Sequence, residues 1–342
     1  MALVFCDGFD HYVESDLNKK WDVVVSSNLT ITTGGRYGSN RSFQNLTNAT
    51  QQVIKFVPSY PTYIVGFAMK TDSFTTPMSL VEFRDQSTVQ CKLTWNEIGS
   101  GGYLRAYTAG STDRGNCSSF ITYNGVWRYF EIEVTIHNSA GAIEVRENGV
   151  TMLSLSGIDT QATGNAIIDR VAFGGAPGIS YTNMSYDDFY LCDDQGSVSN
   201  TFLGDIRVQS IFPSGAGATT QMTPSAGSNY ACVDEAAPNG DTDYVSETTA
   251  GEKDTYAFGN LTSTSGTIKG VQVLINARKD DAGSRSIAPV YRPVSTDYDG
   301  TTVSVSDSYA YLREIAEVSP ATGVAWTIAE INGAEFGVKL IA

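Results

Sequence analysis

Residues 186–212, YDDFYLCDDQGSVSNTFLGDIRVQSIF, decide how this chain is divided. Tyr186 to Leu191 reads as a strand, with aromatic or apolar side chains at Tyr186, Phe189, Tyr190 and Leu191. Asp193 to Asn200 (DDQGSVSN) is a run of turn formers without an apolar period, which marks a connection. Phe202 to Phe212 is again rich in β-branched and aromatic residues and reads as a second strand. The stretch therefore closes one β domain, residues 1–195, and opens another, residues 196–342.

The rest of the chain fits that division. Its 342 residues suffice for two domains, each with its own core. Eighteen Tyr, 15 Phe and 4 Trp sit among few charged residues (17%), and Gly, Ser, Thr and Asn fill the remainder, which is an all-β composition. The net charge of −15 excludes a basic groove for nucleic acid and attraction to an anionic membrane. It suits solubility and close packing in an assembly. No run approaches the ~18–20 apolar residues of a membrane span. MALVFC (1–6) is ended by Asp7, too soon for an export signal, so the expectation is synthesis in a cytosol, where the chain either stays or which it leaves by another route, such as lysis.

The clearest alternation is YFEIEVTIH at 129–137. Phe130, Ile132, Val134 and Ile136 point one way, and Tyr129, Glu131, Glu133, Thr135 and His137 the other. NSAGA (138–142) predicts a hairpin turn, with Ile143 and Val145 inward on the return strand and Arg146 facing Glu131 or Glu133. Asn148-Gly149 suits a tight turn with positive φ. Residues 213–230 (PSGAGATTQMTPSAGSNY) read as a long loop, with one helical turn near 229–235. Val271, Val273 and Ile275 alternate with Gln272, Leu274 and Asn276, a strand buried on both sides. Tyr309–Glu317 is the candidate for a short helix, and Trp326–Glu330 for a strand.

Four stretches also carry a resemblance. The opening CDGFDHY (6–12) and the block VWRYFEIEVTIHNSAGAIEVRENGV (126–150) resemble concanavalin-like, laminin-G-like domains, over roughly residues 1–195. The junction with its FLGDIRV (202–208), and the ending AWTIAEINGAEFGVKLIA (325–342), resemble tailed-bacteriophage virion structural proteins, in which such a jelly roll precedes a C-terminal β domain. The resemblance implies a concanavalin A-like jelly-roll sandwich followed by a second, smaller β-sandwich. It further implies a non-enzymatic protein on the outside of the virion, in a tail fibre, a tail tip or a capsid decoration. Its partners would be other virion proteins and further copies of itself, as a homo-oligomer such as a trimer. Host attachment through a surface glycan is a further expectation. A carbohydrate-binding lectin module is the alternative, and a glycoside hydrolase a more distant one.

Catalytic constellations are sparse. Retaining enzymes built on this sandwich carry E-x-D-x-x-E on one strand, with two carboxyls about 5–5.5 Å apart. Glu131-Ile132-Glu133 lacks the third acid, and solvated charge on an outer face explains the pair as well. Asp187 and Asp188, as strand neighbours, should point to opposite faces and not form a pair. Laminin-G-like domains sometimes hold calcium, so Asp7, Asp10, Asp187 and Asp188 are the candidate metal ligands, against the plainer reading of an acidic loop. There is no GxSxG, no Walker A run and no GxGxxG between strand and helix, so no catalytic residue and no further cofactor is expected. Tyr103, Tyr107 and Tyr123 suit either stacking on sugar rings or ordinary packing. The five cysteines lack CxxC spacing and read as buried free thiols. Cys6 and Cys192 fall on the first and last strands of the implied jelly roll, which pair in that fold, so a cross-strand contact between them is open. The junction and the Gly/Ser-rich stretch after it are the expected assembly surface.

Overall fold

The computed structural model describes residues 2–25, 29–38, 41–45, 51–71, 73–75, 78–122, 124–175, 180–182 and 184–342. Tyr123 lies outside them. The fold is all-β, and the chain divides into two compact units, Met1–Val208 and Gln209–Ala342.

The first unit is a sandwich of two eight-stranded antiparallel sheets. One sheet runs in the order Val150–Ile158, Gly141–Glu147, Arg128–Thr135, Thr62–Lys70, Met184–Asp193, Arg41–Asn45 and Leu29–Thr33, with Leu3–Asp7 also paired on Met184–Asp193. The other runs Thr112–Asn116, Gly101–Thr108, Thr88–Ile98, Met78–Asp85, Ile168–Gly175, Gln51–Tyr60 and Val23–Val25, with Ile121–Thr122 also paired on Gly101–Thr108. Hairpins at the sheet margins are joined by central pairs distant in sequence, such as Arg128–Thr135 on Thr62–Lys70 and Ile168–Gly175 on Gln51–Tyr60, as in a jelly roll. The alternation at 129–136 does what its period requires: Phe130, Ile132, Val134 and Ile136 are buried, and Ile143 and Val145 meet them from the return strand. Phe67 of the first sheet packs edge-on against Phe173 of the second, 5.0 Å between centroids. Phe5, Phe43, Tyr186 and Phe189 extend that aromatic core. Each such ring removed from water contributes about 2–3 kcal/mol. Asn148 (φ 48°) and Gly149 (φ 79°) make the predicted turn.

The second unit pairs Pro213–Thr220, Lys253–Phe258, Glu335–Leu340, Arg285–Arg292 and Tyr298–Asp299 in one sheet, with Val303–Val305 also on Arg285–Arg292. A two-stranded ribbon, Val271–Ala277 with Ala310–Ala316, closes the sandwich. Its Val271, Val273 and Ile275 pack on Tyr291, Phe336, Ile287 and Leu340 of the sheet, and its other face is half-buried as well.

Three expectations are corrected here. Tyr309–Glu317 is not a helix but contains the ribbon strand Ala310–Ala316, fixed by seven register partners on Val271–Ala277. Trp326–Glu330 is not a strand; the helix Ile328–Gly333 begins inside it. Thr327 caps that helix, accepting from the Glu330 N–H while the Glu330 side chain returns to the Thr327 N–H. Residues 213–230 are not all loop, because Pro213–Thr220 forms the sheet's edge strand despite its lack of β-branched residues before Thr219. The helical turn expected after it is a 3-10 turn at Asn229–Cys232.

Candidate functional site

The outer face of the jelly roll's first sheet carries a row of five residues in register, Arg146, Glu131, Gly66, Tyr190 and Cys6. Gly66 has no side chain, so the Tyr190 ring lies across it; a Cβ there would stand 2.0 Å from a ring carbon. The Tyr190 hydroxyl thereby reaches over one strand and donates to Glu131 Oε1 at 2.5 Å. Glu131 is buried, 1% exposed, and not on a solvated face. Burial, with the Glu131 carboxylate beside it, raises the Tyr190 phenol well above its ordinary value.

Residues 202–208, FLGDIRV, lie on this face as an irregular strap and not as a strand. Its backbone is held by side chains. Leu203 N–H donates to the Tyr190 hydroxyl (3.2 Å), Gly204 N–H to Glu131 Oε1 (2.8 Å) and Val208 N–H to Asp188 Oδ1 (2.8 Å). Arg36 donates to the Asp205 carboxylate (2.7 Å) and to the Ile206 carbonyl (3.2 Å). The Arg146 guanidinium sits 3.8 Å from the Phe202 ring centre and that of Arg207 4.3 Å from Tyr37. Arg146 is opposite Glu131 in register but takes its ion pair with Glu144. These contacts carry the first unit to Val208, so the boundary expected at 195/196 falls at 208/209.

Asp187 and Asp188 do form a pair, contrary to the alternation expected of strand neighbours. The strand bulges between Asp187 and Tyr190, and Asp188 takes the left-handed conformation at φ 51°. Both carboxyls then reach Arg36: Asp187 Oδ2 accepts from its N–H (2.8 Å) and Asp188 Oδ2 from its guanidinium (3.4 Å). Asp187 also accepts from the Asp188 N–H. Burial, then the charge of Asp188, pushes Asp187 up to about 8. Burial raises Asp188 to about 6 against the pull of Val208 N–H and Arg36. Asp10, which accepts from Arg41 N–H, is also raised to about 6 by burial, with Asp188 and Asp7 adding to it.

Asp7 stands in a separate knot. Its Oδ1 accepts from Phe9 N–H (2.9 Å) and Lys20 Nζ (3.0 Å), and its Oδ2 from Tyr12 Oη (2.7 Å) and Trp21 Nε1 (3.0 Å). Thus the four candidate calcium ligands divide between two arrangements, and each accepts hydrogen bonds from the chain. Among the described residues, no group of three or more His, Cys, Asp or Glu side chains is disposed to hold a metal ion. Cys6 and Cys192 lie on paired strands but opposite Tyr190 and Leu3, and no disulfide joins them. Tyr103 packs edge-on against Phe120, and Tyr107 lies under Lys92.

Sequence reasoning missed Lys20, Tyr12 and Trp21 as partners of Asp7, His11 as a partner of Lys20, and Gly66 and Arg36 as partners of the junction. A lysine pair leading into WDVVV (21–25) was the one available signal, a charge entering an apolar run.

The second unit has its own buried carboxylate. Asp254, 0% exposed, accepts from Gln221 N–H (2.7 Å), Met222 N–H (2.9 Å), Asn229 Nδ2 (2.6 Å) and Tyr256 Oη (3.0 Å). It fastens the segment that follows the edge strand to the sheet.

No protein-family model matches this chain, and no curated protein does. Among solved structures, alginate lyase Aly36B is similar at 13% identity over 54% of this chain and 92% of that one, with a TM-score of 0.41. The T. cruzi calreticulin globular domain is 11% identical over 56% and 88%, TM-score 0.37. The carbohydrate esterase vb_24B_21 from the Shiga toxin-encoding bacteriophage phi24B is 8% identical over 55% and 99%, TM-score 0.37. The likeness is one of fold alone.

Proposed function

We propose that this chain is a non-enzymatic structural component of the outside of a tailed-phage virion, in a tail fibre, tail tip or capsid decoration. It acts by docking onto other virion proteins and onto copies of itself, with host-surface adhesion as a second task. The observation that carries this reading is the engagement of Glu131. The residue most like a glycosidase acid is buried, bonded to Tyr190, and holds the Gly204 N–H of the strap. Its place in the architecture is structural, bonded to the same FLGDIRV stretch whose sequence resembles virion proteins. The edge strand Pro213–Thr220, without a charged residue, presents backbone groups suited to strand addition by a neighbour.

Immunogold electron microscopy of purified particles, with antibody against this chain, tests the proposal. Gold over the head assigns decoration, and gold at the tail end assigns a fibre or tip. Bare particles with the epitopes shown to be accessible overturn it and favour a free lectin.

A further inference from the structure

The Asp7 knot has a composition that a plain ion pair does not need. Lys20 Nζ lies 3.0 Å from Asp7 Oδ1 and 3.0 Å from His11 Nε2, and the lysine and aspartate side chains are 1% and 0% exposed. The Lys20 nitrogen sits over the rings of Phe5 (5.5 Å) and Tyr12 (5.6 Å), and Trp21 packs on Phe5 at 4.8 Å. A buried charge pair in such surroundings carries a desolvation penalty that a neutral product would not. Proximity is already in place, with an amine nitrogen held against a carboxyl by surrounding packing.

We propose that Lys20 and Asp7 condense into an intramolecular isopeptide bond, a covalent staple between the first strand of the jelly roll and the short helix Leu17–Lys20 that precedes its Val23–Val25 strand. Burial and the Lys20 charge hold the His11 imidazole well below its ordinary value, so it is neutral and its Nε2 lone pair faces the ammonium. His11 takes one proton from Lys20. The freed amine attacks Asp7 Cγ. Oδ2, held by Tyr12 O–H and Trp21 Nε1–H, bears the developing charge and becomes the amide oxygen. The C–N bond forms and the Cγ–Oδ1 bond breaks. Oδ1 leaves as water with one proton from the nitrogen and one returned by His11. One ammonium and one carboxylate become one amide and one water, with no change in net charge and no oxidant. None of the five cysteines forms a disulfide, so this bond would be a cross-link of another kind in a protein proposed to work outside the cell.

Intact-mass spectrometry of the full chain, fresh and after storage, tests this. The wild-type protein is expected one water lighter than its sequence, and Lys20→Arg at its full sequence mass. Asp7→Asn is expected one ammonia lighter than its own sequence, since the leaving group changes and the bond does not. His11→Ala should slow the loss. Tryptic digestion of the wild type should leave the peptide bearing Asp7 joined to the one beginning at Lys20, which separates this loss from dehydration elsewhere. Wild-type protein at full sequence mass, with Lys20 acetylated after unfolding, overturns the proposal and leaves a buried ion pair; that measurement decides even if no variant folds.

Discussion

The ring of Tyr190 occupies the space that a side chain at residue 66 would fill, 2.0 Å from where a Cβ would stand. Gly66 thus sets the position of a hydroxyl that binds Glu131 from the neighbouring strand and the strap above it. Gly66→Ala should destabilise the first unit by about 1–3 kcal/mol, the usual cost of overpacking. Tyr190→Leu alone should also destabilise, by removing the hydroxyl. The two together should cost less than their sum, because the shorter side chain clears the methyl group. Urea unfolding of the four proteins measures this, and simple additivity would sink the account of the row.

The strap provides a second test. Glu131→Ala leaves the half-buried Gly204 N–H and the buried Tyr190 hydroxyl without their acceptor, at about 1–3 kcal/mol. Glu131→Gln keeps an oxygen in place and should cost less. The Arg207–Val208 peptide bond lies within the strap, with Val208 N–H bonded to Asp188. Brief trypsin treatment should therefore cleave after Arg207 faster in Glu131→Ala than in the wild type, with Glu131→Gln between. Equal cleavage rates in all three would mean that Glu131 does not hold the strap.

What the sequence shows and hides follows from where the information lies. The alternation at 129–136 is legible because one strand suffices to display it. The Asp187–Asp188 pair is not, because Arg36 and Val208 lie far off in the chain and the left-handed Asp188 has no local signature. Tyr309, Leu312 and Ala316 recur at helical spacing, yet pairing with Val271–Ala277 makes that segment a strand. PSGAGATT has little intrinsic strand preference and becomes one through Lys253–Phe258, with the Glu335 side chain accepting from Ala218 N–H. The Thr327-to-Glu330 spacing is a capping-box signal that the neighbouring Trp-Thr pattern obscured. At the Asp7 knot, the acid was visible and its partners were not.

The acidic cluster gives a pH dependence of definite sign. Asp187 is raised to about 8, and Asp188 and Asp10 to about 6, from an ordinary 3.8, burial being the first cause for each. The native state therefore holds protons that the unfolded chain has released. The stability contributed by these protons is full below the unfolded value and is lost as pH rises through the folded ones. The first unit should unfold at lower urea near pH 8.5 than near pH 5.5, a difference opposite to ordinary acid denaturation. Asp187→Asn should flatten that slope and gain on the order of 2 kcal/mol at the upper pH, less what the lost acceptor removes. Parallel pH profiles for the two proteins would show that the cluster does not titrate in this window.

In the second unit the same reasoning isolates Asp254. Four donors converge on one carboxylate with no exposure, and two of them are the backbone N–H groups of Gln221 and Met222. Asp254→Ala strands all four and should cost about 4 kcal/mol or more, among the larger single-residue losses. Asp254→Asn keeps one acceptor and adds a donor toward groups that are themselves donors, so it should recover only part of the loss. Asn229→Ala removes one bond to the same carboxylate and one to the Met222 carbonyl, and should cost about 2 kcal/mol. Hydrogen exchange locates the effect: the amides of Gln221 and Met222 should lose protection first in Asp254→Asn, before those of Lys253–Phe258. Uniform loss across the sheet would instead make Asp254 a general core residue, and the segment 221–229 would owe its position to something other than this carboxylate.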